Sequence, residues 1–343
     1  MPEWSVLVRR PLVALVALAL AVGLAGQATP ALGAGQPVKV AIIVGPVGAE
    51  LTPVYIQIAE AAAHAAEAHG ATVSRAYSPY AHAQNVIAAV AGANIVVYLG
   101  HGVGSPNPYS AQPNPETTNG WGLNGPGRRG DHSDSWKDGT LKYFGEAWIV
   151  QHARPAPGFA MIYSNACYAA GAAEPHMAPA TAAEAEARVR AYSRAPLAEL
   201  GASAYFATDF FEGAAHLIDR MLGDPTATYG DIFAGEQTFD PNGLTRLADP
   251  AGGPGEVWLH QSSYFDGKVD YWYAFAGDPL ASPASGMLAE TAVAAVQSVA
   301  VTAPTVELPA PAVEAFDGRP AAAPVEMPAP AAPARPQVAN APD

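Results

Sequence analysis

The chain has a single cysteine, Cys167, among its 343 residues. No internal disulfide can form, so a fold stapled by bridges is excluded. Charge is also scarce, at 14% of residues against roughly a quarter in an ordinary globular protein. What charge there is leans acidic, with a formal net charge of −14. Phosphates demand a basic surface, so the acidic balance argues against nucleic acid and anionic membranes as partners. No internal repeat is present, and His69, His82, His132 and His152 lack the spacing of zinc ligands. Gly45-Pro46-Val47-Gly48 follows an apolar run, but it is not G-x-G-x-x-G, and Pro46 removes an N–H that a phosphate cradle needs. Neither a cofactor nor a metal is expected. Asp131, Asp134 and Asp138 form a small acidic cluster whose spacing does not match a calcium-binding EF-hand loop, and it is read as solvated.

Residues 1–34 read as a signal peptide. Arg9 and Arg10 supply a positive start, Leu12–Leu24 is an apolar run too short to span a bilayer comfortably, and Ala31 and Gly33 form a small-residue cleavage pattern. No cysteine follows to carry a lipid. The expectation is a secreted, extracellular protein with no stable membrane anchor after cleavage. From 283 to 343 the chain is rich in Ala, Pro and Val with few aromatics, the composition of a disordered tail. Residues 35–282 remain for a folded domain, and half of the whole chain is hydrophobic.

Within that domain strands and helices alternate. Val38–Val44 is the continuous apolar run of a strand buried on both faces. Thr52 is read as the N-cap of a following helix, with Pro53 at its first turn and Gly70 at its end. Gln57, Glu60, His64 and Glu67 recur every three or four residues and mark its solvent face. A strand over 72–76, a helix over 81–91 and a strand over 94–99 follow. This β-α-β-α-β order implies right-handed crossovers and a parallel sheet with helices on both faces. The Gly/Pro/Asn/Ser-rich stretch 103–139 is too long for an idle connection. Beyond it, 140–152 reads as a helix and 159–164 as a strand. Thr181 and Glu184 form a capping box that starts the next helix. A strand over 203–208, a helix over 214–222 stopped by Gly223, and strands over 257–261 and 271–275 complete the reading. Residues 224–255 carry no clear pattern.

His101 and Cys167 each follow an apolar strand directly. In an open parallel sheet the crevice for chemistry lies beyond the carboxyl ends of the strands, so both side chains are expected at one edge. A thiol beside an imidazole is a nucleophile with its general acid/base at hand. Glycines flank His101, and the Gly102 and Cys167 N–H groups are candidates for an oxyanion hole. Asp209 ends the fifth strand at the same edge and is a candidate to pair with a basic substrate side chain, with Glu212 as a second candidate.

The runs NIVVYLGHG and AMIYSNACYAAG resemble the signature of the clan CD cysteine peptidases, the group of caspases, metacaspases, legumain, clostripain, gingipains and separase. PLAELGASAYFAT and YWYAFAGDPLAS resemble segments of its gingipain-like and CHAT-type members, in the same order. The resemblance covers roughly residues 38–282. It implies a caspase-like three-layer α/β sandwich with a mainly parallel sheet of about six strands. It further implies a secreted endopeptidase that hydrolyses a protein or peptide substrate through an acyl-enzyme. His101 is then the general acid/base, Cys167 the nucleophile, and Gly102 and Cys167 the oxyanion donors. The dyad of this family needs no third member, so an orienting Asp or Asn is not required. The alternative is a secreted binding module of the same fold without turnover.

Overall fold

A computed structural model describes residues 37–107, 112–126, 132–135, 137–236, 239–253, 255–263 and 267–289. The signal-peptide reading of 1–34, Asp131, and nearly all of the Pro/Ala-rich stretch lie outside these residues. The described residues belong to one compact unit.

The apolar runs form the centre of an eight-stranded sheet. β1 (Lys39–Val44) pairs in parallel with β2 (Thr72–Tyr77) on one side and β3 (Ile95–Leu99) on the other. β6 (Ala160–Ser164) continues beside β3, and β7 (Ala204–Thr208) beside β6, again in parallel. The sheet then turns antiparallel through β10 (Val269–Gly277), β9 (Glu256–Ser263) and β8 (Leu244–Ala248). The spatial order is β2-β1-β3-β6-β7-β10-β9-β8.

Alternate residues of the central strands serve opposite faces, as the pleat dictates. Ala41, Ile43, Val96, Tyr98, Met161 and Tyr163 face α2 (Ala83–Val90), α3 (Glu146–His152) and α4 (Ala182–Arg194). Val40, Ile42, Val97, Leu99, Ile162 and Phe206 face α1 (Leu51–Ala68), α5 (Gly213–Gly223) and α6 (Tyr229–Ala234). The result is the three-layer α/β sandwich that the sequence implies, with two more strands than expected.

Several local expectations hold and several are corrected. The Thr181–Glu184 capping box is present in full. Gly70 follows the end of α1 at φ 76°, a left-handed position that suits glycine. Thr52 is not the N-cap, because α1 begins at Leu51. Instead Thr52 is buried, and its hydroxyl accepts the Val47 N–H at 2.9 Å and donates to the Gly48 carbonyl at 2.7 Å. The expected helix over 140–152 starts as a strand. β5 (Leu141–Phe144) pairs antiparallel with β4 (Trp121–Asn124), and Gly145 is packed too tightly against the 115–117 backbone for the helix to start earlier. Residues 224–255 hold α6, a short 3-10 turn at Pro241–Gly243 and β8. The packed chain continues past residue 282, since Met287 and Leu288 are buried in the core beneath α1, α5 and α6.

Candidate active site

Leu99 and Ser164 are register partners on β3 and β6, so the segments that follow them leave the sheet side by side. His101 lies two residues beyond Leu99, and Cys167 three residues beyond Ser164. The two turns touch: a Cβ on Gly102 would lie 2.0 Å from the Cys167 carbonyl oxygen. Only glycine allows that approach. Among the described residues neither the Gly102 nor the Cys167 N–H donates to a backbone carbonyl, and the Cys167 N–H faces its own thiol.

The turn that presents Cys167 is held in an unusual backbone state. Asn165 has φ 53° and Tyr168 φ 71°, left-handed values on either side of the thiol. The surroundings fix them. The Asn165 N–H donates to the Thr208 carbonyl at 2.8 Å, and its side-chain amide donates to the Asp209 carbonyl at 2.9 Å. The Tyr55 hydroxyl, from the first turns of α1, donates to the Asn165 carbonyl at 3.2 Å, and the Tyr168 N–H donates to the Ala172 carbonyl at 2.8 Å. Strand β7 and helix α1 thus clamp the turn that carries Cys167.

His101 is fixed from both ends. Its carbonyl accepts the Tyr98 hydroxyl at 2.8 Å, and its Nε2 meets Asp134 Oδ2 at 2.9 Å. With Nε2–H donating to that carboxylate, Nδ1 keeps the lone pair able to take a proton. Hairpin β4–β5 forms the wall behind the ring, for Gly122 approaches His101 Cβ and its N–H donates to the Tyr98 hydroxyl at 2.7 Å. Asp134 is thus a partner of the His101 ring that the sequence reading did not pair with it, while its side chain stays partly exposed to solvent.

The electrostatics do not pre-ionise the thiol. Cys167 is half-buried, and loss of solvent, followed by the nearby Asp209 and Glu174 carboxyls, pushes its pKa up to about 12. Its resting form is the thiol, so a base must remove the proton during reaction. Asp209 itself is pushed up to about 8, first by burial and then by Asp270, and rests protonated at neutral pH. It does not cap α5, which has Glu212 at its N-cap position and no side-chain cap bond. Glu212 is largely exposed beside His216, 3.6 Å away, and is not drawn into the site. Tyr55 was not a candidate from sequence. Its phenol is held un-ionised well above the ordinary tyrosine range by burial, then by Asp209 and Cys167, which places it against both.

No protein-family model matches the chain, and no curated protein does. Among solved structures the chain is similar to the crystal structure of the Arg-specific cysteine proteinase gingipain R. That likeness has 15% identity and a TM-score of 0.30, over 72% of this chain and 61% of that one. The chain thus spans less than two thirds of the length of the proteinase, and a score so low does not establish a shared fold. The chemistry has to follow from this chain's own residues.

Proposed function

We propose that the protein is a secreted cysteine endopeptidase. The observation that supports this reading is the contact of the Gly102 and Cys167 backbones, which sets the turns that carry His101 and Cys167 side by side beyond one edge of the sheet. In the reaction, Cys167 Sγ attacks the scissile carbonyl while its proton passes to His101 Nδ1. The C=O electron pair moves onto oxygen, facing the Gly102 and Cys167 N–H groups. The intermediate collapses, the C–N bond breaks, and the departing amine takes the proton from His101. Water then attacks the thioester with His101 again as base, releasing the acid and restoring the thiol. Asp134 keeps the imidazole in the tautomer this sequence requires.

The test is a peptide-library digest under reducing conditions with the protein and its Cys167→Ala, His101→Ala and Asp134→Asn variants. Loss of turnover is expected for Cys167→Ala, a fall of about 100- to 10,000-fold for His101→Ala and a fall for Asp134→Asn no larger than that of His101→Ala, each with unchanged circular dichroism. Full activity in the cysteine or histidine variant would refute the assignment.

Asp209 is proposed to pair with an arginine or lysine at the cleavage position. A bound cation favours its ionised form, and so does rising pH. The preference for arginine over asparagine at that position should therefore grow as the pH is raised toward about 8 and should vanish in Asp209→Asn. A preference for aspartate or asparagine, or a basic preference that persists in the variant, overturns it. The unactivated thiol favours a second reading, a secreted binding module without turnover. A peptidyl electrophile that labels Cys167 at neutral pH no faster than iodoacetamide does would select that reading.

A further inference from the structure

A separate cavity of about 310 Å³ opens on the flank of the site built by the residues that follow Cys167. Its walls are largely apolar, formed by Pro106, Ala173, Met177 and Pro179, with Glu184 and Arg188 as its charged members. Arg188 is the unusual group. It is 95% buried, at 5% exposure, yet it forms no ion pair among the described residues. A guanidinium has five N–H donors. Here Nε donates to the Pro106 carbonyl at 3.0 Å and Nη1 to the Gly171 carbonyl at 2.9 Å. The guanidinium carbon stands 5.2 Å from the centre of the Tyr168 ring. Among the described residues Nη2 has no hydrogen-bond partner, and Arg188 lines the cavity.

A buried charge with no ion pair in direct contact is costly, and a carboxylate is the group whose two oxygens match the unused edge of a guanidinium. The nearest carboxylates are engaged in other bonds. Glu184, one turn before Arg188, is bound through Oε2 by the Thr181 N–H and hydroxyl at 2.8 Å each, and it feels the Arg188 charge from beyond ion-pair distance. Asp270, behind the Ala180 wall, accepts the Ala180 N–H at 3.0 Å and meets Lys268 at 3.1 Å. The cavity is tied to the nucleophile by sequence and contact, since the ring under Arg188 is that of Tyr168, the next residue after Cys167.

We infer that this cavity is a carboxylate-binding subsite, in which Arg188 Nη2 receives the side chain of an acidic substrate residue flanking the cleavage position. The identity of the ligand as substrate rests on the peptidase reading, whereas carboxylate binding itself does not. The apolar walls suit the methylenes of glutamate, and the cavity is of the size that holds one small ligand. It differs from the position of Asp209, so a basic residue at one place and an acidic one at another are compatible.

The probe is N-acetyl-glutamate amide, with N-acetyl-glutamine amide as its neutral isostere. Binding is read from the Met177 methyl resonance in the full chain carrying Cys167→Ala, which cannot turn over. Saturable shifts with the glutamate probe, and affinity for the glutamine probe weaker by about tenfold or more, are expected. Arg188→Gln should lose the difference. Because Arg188 also holds two carbonyls, Ala178→Trp is the second variant. Ala178 lines the mouth of the cavity and is exposed, so the indole fills the entrance and leaves those bonds intact. Equal binding of the two probes, no saturable shift, or affinity unchanged in Ala178→Trp would each overturn the subsite. Because the measurement needs no catalysis, its failure leaves the peptidase reading standing. Absence of cleavage by the wild type sinks that reading without touching the binding result.

Discussion

At the scale of single residues, a rigidly held turn presents a thiol that the surroundings keep protonated. Many thiol enzymes store reactivity as a thiolate, but here burial and two carboxyls push Cys167 up to about 12. A measurable consequence follows for a small, non-binding reagent. Iodoacetamide labels thiolate only, so its rate with Cys167 should climb about tenfold per pH unit from pH 6 to 9 without levelling off. Stopped-time mass spectrometry reads the rate, and a plateau near pH 7 would show that the thiol is already ionised. The two central residues were legible from sequence because each sits directly after a short apolar run, where the parallel-sheet rule assigns it to one edge. Asp134 was not. It belongs to a Gly/Pro-rich stretch without periodicity, and nothing in its own neighbourhood ties it to His101. Tyr55 was equally silent, because a tyrosine in the first turns of an alanine-rich helix reads as amphipathic filler. Its link to the site appears only in three dimensions, through the bond of its hydroxyl to the Asn165 carbonyl 110 positions away.

At the scale of elements, local capping and long-range pairing were readable to different degrees. The Thr181–Glu184 box is a local signal and appears as expected. Thr181→Ala removes the acceptor of the Glu184 N–H and should cost about 1 kcal/mol, a fall in Tm of about 2–4 °C for a chain of this size. The Glu184 carboxyl is held below its usual range by the Thr181 N–H and then by its hydroxyl. A group whose folded pKa is depressed contributes stability above its unfolded pKa and loses it as the pH falls through the folded one. The wild-type advantage over Thr181→Ala should therefore be full at neutral pH and shrink on acidification below the glutamate range. Thermal melts across that range check it. A Tm difference that grew on acidification would contradict the cap. Non-local elements were harder to read. β4, β5 and β8 are only four or five residues long, β5 and β8 are partly exposed, and their strand character comes from partners across the β4–β5 pair or across β9 rather than from their own residues. That is why 140–144 resembled the beginning of a helix and 224–255 resembled nothing.

At the scale of the molecule, the core boundary is set by two side chains. Met287 and Leu288 are 1% and 6% exposed and pack under the layer of α1, α5 and α6. Ending the chain after Ala289 should leave Tm within about 2 °C, whereas ending it after Ser285 should lower Tm by about 5 °C or more. That estimate takes about 2–5 kcal/mol for a large core side chain and about 2–4 °C per kcal/mol. Calorimetry of the two truncations decides between this boundary and one at 282, which predicts equal stability for both.

Asn94, just ahead of β3, does more than begin a strand. Its Oδ1 accepts the Lys39 N–H at 3.0 Å and its Nδ2 donates to the Met287 carbonyl at 2.9 Å. One amide therefore staples the first and last parts of the described core to the same rim of the sheet, the rim opposite His101 and Cys167. With strands of five or six residues between them, at about 3.3 Å per residue, the two rims stand roughly 16–20 Å apart. A bead, a fluorophore or a fused carrier attached near residue 37 or 289 then sits behind the molecule with the reactive face turned outward. The same closeness of the two attachment points would let a short bridge join them and new ends be opened elsewhere.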